Sequence, residues 1–405
     1  MESLSRRRVL TLGAALGLTT AALEAPKPWS WSWSSAGSIA KADTVTDPFS
    51  VWDPVPDQVA AQLLADGKIS AVNTAWQSWV NNSDPLPSGM PSYLVSYLQQ
   101  VNQLPSWADS SMLAASEKLY TRLSSYLFVS ESLGSGILST VIPREARAVY
   151  WSAGGADMKA RAAKTFTFGY DLHSGSAWHP TGHFIVSANK TRLVHSMVRN
   201  LLPTSTHYEA TADESKPISN GDILRTFHSV ATVAHNNMQK WGVRLSAAEQ
   251  AADLHAWQVA LHLLGVQDQF IPQSWADAQA QAQQMLWPDL ASTTEGINLA
   301  HTLLGYIEQP TLGVDTGFVS EMVRYLIGDT YSDWLKLPHD LVSRALIQAG
   351  WPLYVAFREG TSSTAPSGYS LFDSFIRGVA MLYLNNGTSA TQTPITLPTA
   401  NRPGA

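Results

Sequence analysis

Residues 190–202 read KTRLVHSMVRNLL. Read as a helix, this stretch is largely apolar, and past Lys190 its only ionisable side chains are His195 and two arginines. Arg192 lies three residues before the histidine and Arg199 four after, so a helix places both on its side. The same helical period recurs along the whole chain, and no Val/Ile-rich alternation marks a sheet. It predicts helices over Asp57–Ala65, Ile69–Val80, Ser92–Gln103, Ser110–Phe128, Pro143–Trp151, Asp157–Tyr170 and Val186–Leu202. Further helices are expected over Gly221–Trp241, Ser246–Leu264, Ser274–Leu286, Thr294–Glu308, Gly317–Ile327, Asp340–Arg358 and Tyr369–Asn385. Ser246 with Glu249 makes a capping box, and Gly265 and Gly387 stand where helices stop. The expected fold is all-α.

Composition narrows the chemistry. Of 405 residues, 45% are hydrophobic and only 14% charged, with 15 Trp, 13 Tyr and 11 Phe, which points to a large aromatic interior. The net charge of −6, without a long basic run, argues against nucleic acid as a partner. There is no cysteine, so disulfides, thiolate nucleophiles, Cys-held zinc and iron–sulfur sites are excluded. Thiolate-ligated haem and haem attached through C-x-x-C-H fall with them. H-E-x-x-H, G-x-x-x-x-G-K-[ST], G-x-G-x-x-G and G-x-S-x-G are all absent.

The helix around His195 offers an imidazole, an apolar flank formed with Val198 and Leu202, and two guanidinium groups at one edge. A haem needs that set: an axial nitrogen, apolar contact and cations for its propionates. A core histidine beside two surface arginines is the competing reading. A second stretch, ARAAKTFTFGY (residues 160–170), is apolar on nearly all sides yet carries Arg161 and Lys164. Arg161 and Thr165 share a face, and burial can lower a lysine pKa by several units from about 10.4, freeing Lys164 to bind metal. In IPREARAVYW (residues 142–151), Pro143 suits the first helical position and Glu145 the third, either as a dipole-favoured glutamate or as a general base. His173, His179 and His183 suggest a loop-borne metal site, weakened by Pro180 and Gly182. The pairs His228/His235 and His255/His262 read as core packing with polar tips.

The N-terminus, MESLSRRRVLTLGAALGLTTAAL, has Arg6, Arg7 and Arg8 ahead of an apolar run, with Ala40-Lys41-Ala42 as a cleavage site. It resembles a twin-arginine export signal, and the run is too short and Ala/Gly/Thr-rich for a membrane span. The expected layout is a signal over residues 1–42, one all-helical domain over 43–386, and a Pro/Thr-rich tail over 387–405 expected to be disordered.

Together the ordered pieces PREARAVYW, ARAAKTFTFGY, TRLVHSMVR and LHAWQVALHLLG resemble the latex clearing protein family, the secreted actinobacterial rubber oxygenases. The resemblance implies a globin-like helical core holding one non-covalent haem b. It implies a dioxygenase cleaving poly(cis-1,4-isoprene) with O2 into oligo-isoprenoids with aldehyde and ketone ends. The protein would be secreted, monomeric and free of membrane once the signal is removed. By this resemblance His195 is the proximal axial ligand, Lys164 the distal residue able to occupy the iron's other side, and Glu145 the base. Arg161 and Thr165 would serve haem retention and a distal polar network, with Arg161 also holding Glu145 ionised. Arg192, Arg199, His228 and Arg324 match less sharply; the two arginines are candidates for the propionates. The alternative function is an exported globin-like haem protein that binds or senses gas.

Overall fold

In a computed structural model of the chain, the structure describes residues 30–153, 158–307, 314–380 and 394–403. Contacts divide the chain into Met1–Ser32 and Trp33–Ala405, and the fold is that of the second unit. The arginine-rich segment of the expected export signal lies outside the described residues.

The helices are α1 (Pro54–Ala65), α2 (Ile69–Ala75), α3 (Ser92–Val101), α4 (Ser110–Leu127), α5 (Pro143–Trp151), α6 (Met158–Leu172) and α7 (Phe184–Leu201). Then come α8 (Thr206–Thr211), α9 (Asn220–Phe227), α10 (Val233–Trp241), α11 (Ala247–Leu263) and α12 (Trp275–Met285). The last are α13 (Thr294–Gly305), α14 (Thr316–Ile327), α15 (Asp329–Trp334), α16 (Leu341–Arg358) and α17 (Tyr369–Ala380). Among the described residues there is no strand, only two isolated bridges, so the all-α expectation is borne out. No helix among them is long and apolar enough to cross a membrane.

α7, the helix of the opening stretch, packs along α1 and against α6 and α11. Its Val186, Leu193 and Met197 enter one cluster with Val59, Leu63, Trp76, Trp79, Leu94 and Leu98. Each such side chain stabilises the fold by roughly 1.5–3 kcal/mol through apolar burial. Lys190 is buried in this cluster and donates to the carbonyls of Trp76 and Trp79 at 3.0 and 2.5 Å. Those acceptors compensate a cation whose pKa burial lowers to about 8.

One expected helix runs past its expected end, and another, Gly221–Trp241, is interrupted. α4 runs on as a π-helix over Phe128–Ser135, and a second π-helix, His228–Thr232, separates α9 from α10. A wider turn rotates every later side chain on its helix, and such turns gather at functional sites. Here the two π segments touch, and Asn237 beyond the second donates to Ser130 in the first at 3.0 Å.

Packing extends beyond the expected domain limits at both ends. Residues 33–42 belong to the folded unit: Ser38 is fully buried, Ile39 N donates to Ile271 O and Gln273 N to Gly37 O. The tail expected to be disordered is instead packed over 394–403, with Ile395 and Leu397 buried. Its apolar residues supply the burial that Pro/Thr-rich composition conceals. The stretch 202–220 also holds a helix, α8, whose N-cap Ser205 accepts from Tyr208 N.

An acidic cluster includes Glu131 of the first π segment. Tyr120 donates to Asp253 Oδ1 at 2.9 Å, and His173 Nδ1 is 3.4 Å from Glu131 Oε2. Burial first, then the charge of Asp253, pushes the Glu131 carboxyl well above its ordinary 4.5. The folded protein therefore keeps a proton that the unfolded chain releases, and stability falls as pH rises above 4.5. Glu131→Gln is expected to raise the melting temperature at pH 8 and leave it unchanged at pH 4. Equal melting curves at both pH values would remove this account.

Candidate functional site

Glu145 is placed by α5, which begins with Pro143 at its first position after the extended Ile142. Thr226 Oγ1 of α9 donates to Glu145 Oε1 at 2.8 Å and also lies 3.1 Å from the carbonyl of Asp222, its alternative acceptor. Burial raises the Glu145 pKa from 4.5 to about 8, against the lowering effects of the Thr226 bond and of Arg225. Asp222 adds to the rise. Arg161 is not among the groups that act on Glu145; the cation that does is Arg225, also on α9. No hydrogen bond or ion pair among the described residues joins Glu145 to Arg161, Lys164 or His195.

His195 lies half-buried on α7, and its Nδ1 is buried without a hydrogen-bond partner among the described residues. Burial, then the cations Arg199 and Arg161, pushes its pKa down to about 3. The imidazole is therefore neutral at ordinary pH, the form that binds metal. The structure brings Arg161 into electrostatic range of His195, so α6 and α7 present one site.

On α6, Thr165 donates to the Arg161 carbonyl at 3.3 Å, the one-turn pairing expected. Burial lowers the Arg161 pKa, and no carboxylate among the described residues forms an ion pair with it. Lys164 Nζ donates to Thr396 Oγ1 at 2.8 Å.

Arg192 and Arg199, the candidates for the propionates, each meet a carboxylate of the chain. Arg192 forms a two-point ion pair with Asp53, Nε to Oδ2 at 2.6 Å and a terminal nitrogen to Oδ1 at 3.1 Å. Arg199 Nε reaches Asp57 Oδ1 at 2.6 Å, and its other nitrogens donate to Ile218 O and Ser196 Oγ. Both guanidinium groups fasten α7 to the start of α1. Arg324 is likewise held by Asp333 and Leu337 O, at 2.6 Å each.

The remaining histidines have protein partners. His228 meets Thr232 and Gln281, His235 stacks on Trp275 and meets Gln239, His255 accepts from Asp109 N, and His262 meets Asp268. This is the core packing expected. His173, His179 and His183 sit with three separate carboxylates, Glu131, Glu117 and Asp171. Among the described residues no group of His, Asp and Glu is placed to hold a metal ion by itself.

Thr226, Arg225 and Thr396 had no signal in the sequence. Their partners lie 81 and 232 residues away for the two threonines, and no local spacing announces such a contact.

The chain is similar to known proteins along most of its length. The family described as ER-bound oxygenase mpaB/B′/Rubber oxygenase, catalytic domain, matches residues 120–357, the span that carries Glu145, Arg161, Lys164 and His195. The chain is 40% identical to the rubber oxygenase of Streptomyces sp. (strain K30) over 412 residues, covering all of both chains. A solved structure of latex clearing protein in the closed state superposes with a TM-score of 0.85 at 39% identity, covering 91% of this chain and 99% of that one. Full-length identity, shared fold and a matched catalytic domain together place the chain in the rubber oxygenase, or latex clearing protein, family.

Proposed function

We propose that the chain is an exported haem b oxygenase that cleaves the double bonds of poly(cis-1,4-isoprene) with dioxygen, releasing oligo-isoprenoids with one aldehyde and one ketone end. Family membership supports the substrate class. The observation that carries the cofactor is the pairing of His195 and Arg161. A neutral imidazole whose buried Nδ1 has no partner among the described residues stands near a half-buried guanidinium that no described carboxylate neutralises. An iron porphyrin answers both, with iron for the imidazole and a propionate for the guanidinium. With no cysteine, attachment is non-covalent. Export by the twin-arginine route rests on Arg6, Arg7 and Arg8.

Bound there, haem supplies the iron that activates dioxygen. His195 would hold that iron, Arg161 would supply a counter-charge for the propionates, and Lys164 would offer a second nitrogen donor. Polyisoprene has no hydrogen-bonding group, so binding comes from apolar contact. Glu145 acts as base on an allylic hydrogen of an isoprene unit. Thr226 occupies Oε1 and fixes the carboxylate, and no hydrogen bond among the described residues occupies Oε2, the oxygen that takes the proton.

Because burial holds Glu145 near 8, the base is mostly protonated at neutral pH, and turnover is expected to climb as pH rises through about 8. Thr226→Val removes a donor that favours the ionised form. The rising limb of the kcat–pH profile should move up by roughly half to one unit. An unmoved or lowered limb would detach Thr226 from the base.

Incubation of the purified protein with rubber latex tests the whole reading. A Soret band and carbonyl-ended oligomers are expected. Cleavage by a colourless, haem-free protein would end the haem reading. A haem protein that leaves latex intact would favour the gas-binding alternative.

A further inference from the structure

α16 is apolar on two sides. One side buries Ile347, Gly350, Trp351, Tyr354 and Val355, and the helix packs against α14 and α17. The Trp351 ring meets Phe372 of α17 with centroids 5.6 Å apart. A surface helix ordinarily turns polar residues to water on its other side, as α4 does with Lys118, Thr121 and Arg122. On α16 that other side is apolar as well. Leu341, Val342 and Leu353 are 76, 79 and 56% exposed, and Ala345, Leu346 and Ala349 are exposed with them. At about 100° per residue these six fall within one arc of about 140°, a stripe that runs along most of the helix. None of the six carries a polar side-chain atom.

The charges around the stripe restrict what can cover it. The two arginines of the helix, Arg344 and Arg358, fall outside the arc by the same period. Arg344 is paired with Glu321 at 2.8 Å and Asp329 at 2.6 Å, and Arg358 donates to Ser125 Oγ at 3.2 Å. An anionic lipid surface is attracted by cations flanking an apolar face, and here the cations of the helix lie elsewhere. A second copy of the chain needs more area. A helix face about 27 Å long and about 10 Å wide is well short of the roughly 800 Å² per partner of a stable interface. Uncharged hydrocarbon needs neither flanking charge nor a fixed matching shape, only apolar side chains that leave water on contact.

We propose that the exposed stripe of α16 is an adsorption face that holds the enzyme on the surface of solid poly(cis-1,4-isoprene). The inference rests on the polyisoprene reading above for the identity of the partner, and on the exposure and charge pattern of α16 for its place. An insoluble polymer cannot diffuse to a site, so the protein gains by residing on the polymer surface. The stripe contains none of Glu145, Arg161, Lys164 and His195, so adsorption is separable from chemistry.

The test compares full-length wild type with the charged double variant Val342→Glu/Leu353→Lys and the apolar double variant Val342→Leu/Leu353→Met. The charged pair leaves the net charge unchanged. It sets good helix formers where the dipole favours them, the acid near the start and the base toward the end, so its melting temperature should match wild type. Should the pair melt lower, Val342→Glu alone, at the most exposed position of the stripe, carries the same comparison. Each protein is mixed with particles of synthetic cis-polyisoprene, which are spun down, and the unbound protein is measured. The charged variant should bind roughly tenfold or more weakly, because two apolar side chains no longer leave water on contact, and the apolar variant should bind as wild type. On a short isoprene oligomer dispersed in detergent, the charged variant should turn over as fast as wild type. Equal particle binding by wild type and charged variant, or no binding by wild type, would overturn the adsorption face. So would wild type held by phosphatidylglycerol vesicles and not by polyisoprene, which gives the stripe to lipid, or a wild-type dimer that the charged pair splits in sedimentation, which gives it to a second copy. Particle binding lost only in the charged variant, with wild type cleaving neither particles nor oligomer, would uphold the face and sink the oxygenase reading. Cleavage of the oligomer with equal particle binding would do the reverse.

Discussion

His195→Ala is expected to give a folded protein that has lost its haem. Loss of a partner that merely orients a metal ligand costs 10–100-fold in metal affinity, and removal of the ligand itself should cost at least about that much. The Soret absorbance per chain should therefore fall by roughly tenfold or more after desalting. The fold should persist because α7 does not depend on the imidazole. Leu193 and Met197 hold its buried face, and the Arg192–Asp53 and Arg199–Asp57 pairs hold its flank. The histidine nitrogen Nδ1 is buried without a partner among the described residues, so the substitution deletes a polar atom that none of them compensates. The melting temperature of the haem-free variant should equal or exceed that of haem-free wild type. Free imidazole, which fits the space left by the ring, should restore part of the haem binding. Full haem content in the alanine variant would show that another group provides the axial nitrogen.

What the sequence disclosed, and what it hid, divides along the range of the interactions. α5 was readable to its ends, because Pro143 at the first position and Glu145 in the first turn are local signals. The capping box at Ser246 and the positive φ of Gly265 behaved as their residue types require. The π segments had no signal, since one extra residue in a turn leaves the apolar period almost intact over a short window. The arginines show the limit most clearly. Helical spacing placed Arg192 and Arg199 on the side of His195, yet it carried no information about which anions meet them. Asp53 and Asp57, well over 100 residues away, took both guanidinium groups, whereas Arg161 was left without a described carboxylate. Spacing thus placed the cations on one helix side but left their partners open. In the tail, composition argued for disorder while the buried pair Ile395 and Leu397 determined the structure.

Glu145→Gln should lower kcat by about 10²–10⁴ while leaving haem content unchanged, the usual range for loss of a positioned general base. Glutamine keeps the shape of the side chain, and its carbonyl can still accept from Thr226, so α5 and α9 stay joined as they are now. What it loses is the ability to take a proton. KM for the polymer should change little, because an apolar chain gains nothing from a carboxylate. Stability supplies a second, opposite readout. Below pH 4.5 Glu145 is protonated in both folded and unfolded chains, so the substitution is neutral there. Between 4.5 and about 8 the unfolded chain ionises while the folded one does not, and wild type is progressively penalised. Above 8 both states are ionised and the penalty is constant. The glutamine variant should therefore melt higher than wild type at pH 8.5 and alike at pH 4, even as its turnover is nearly lost. That combination separates a base held at high free-energy cost from a structural glutamate, whose replacement would lower stability. A haem-replete variant with turnover within about threefold of wild type at pH 8 would remove Glu145 from the base role, and equal melting at pH 8.5 would show that the carboxyl is not held above its ordinary pKa.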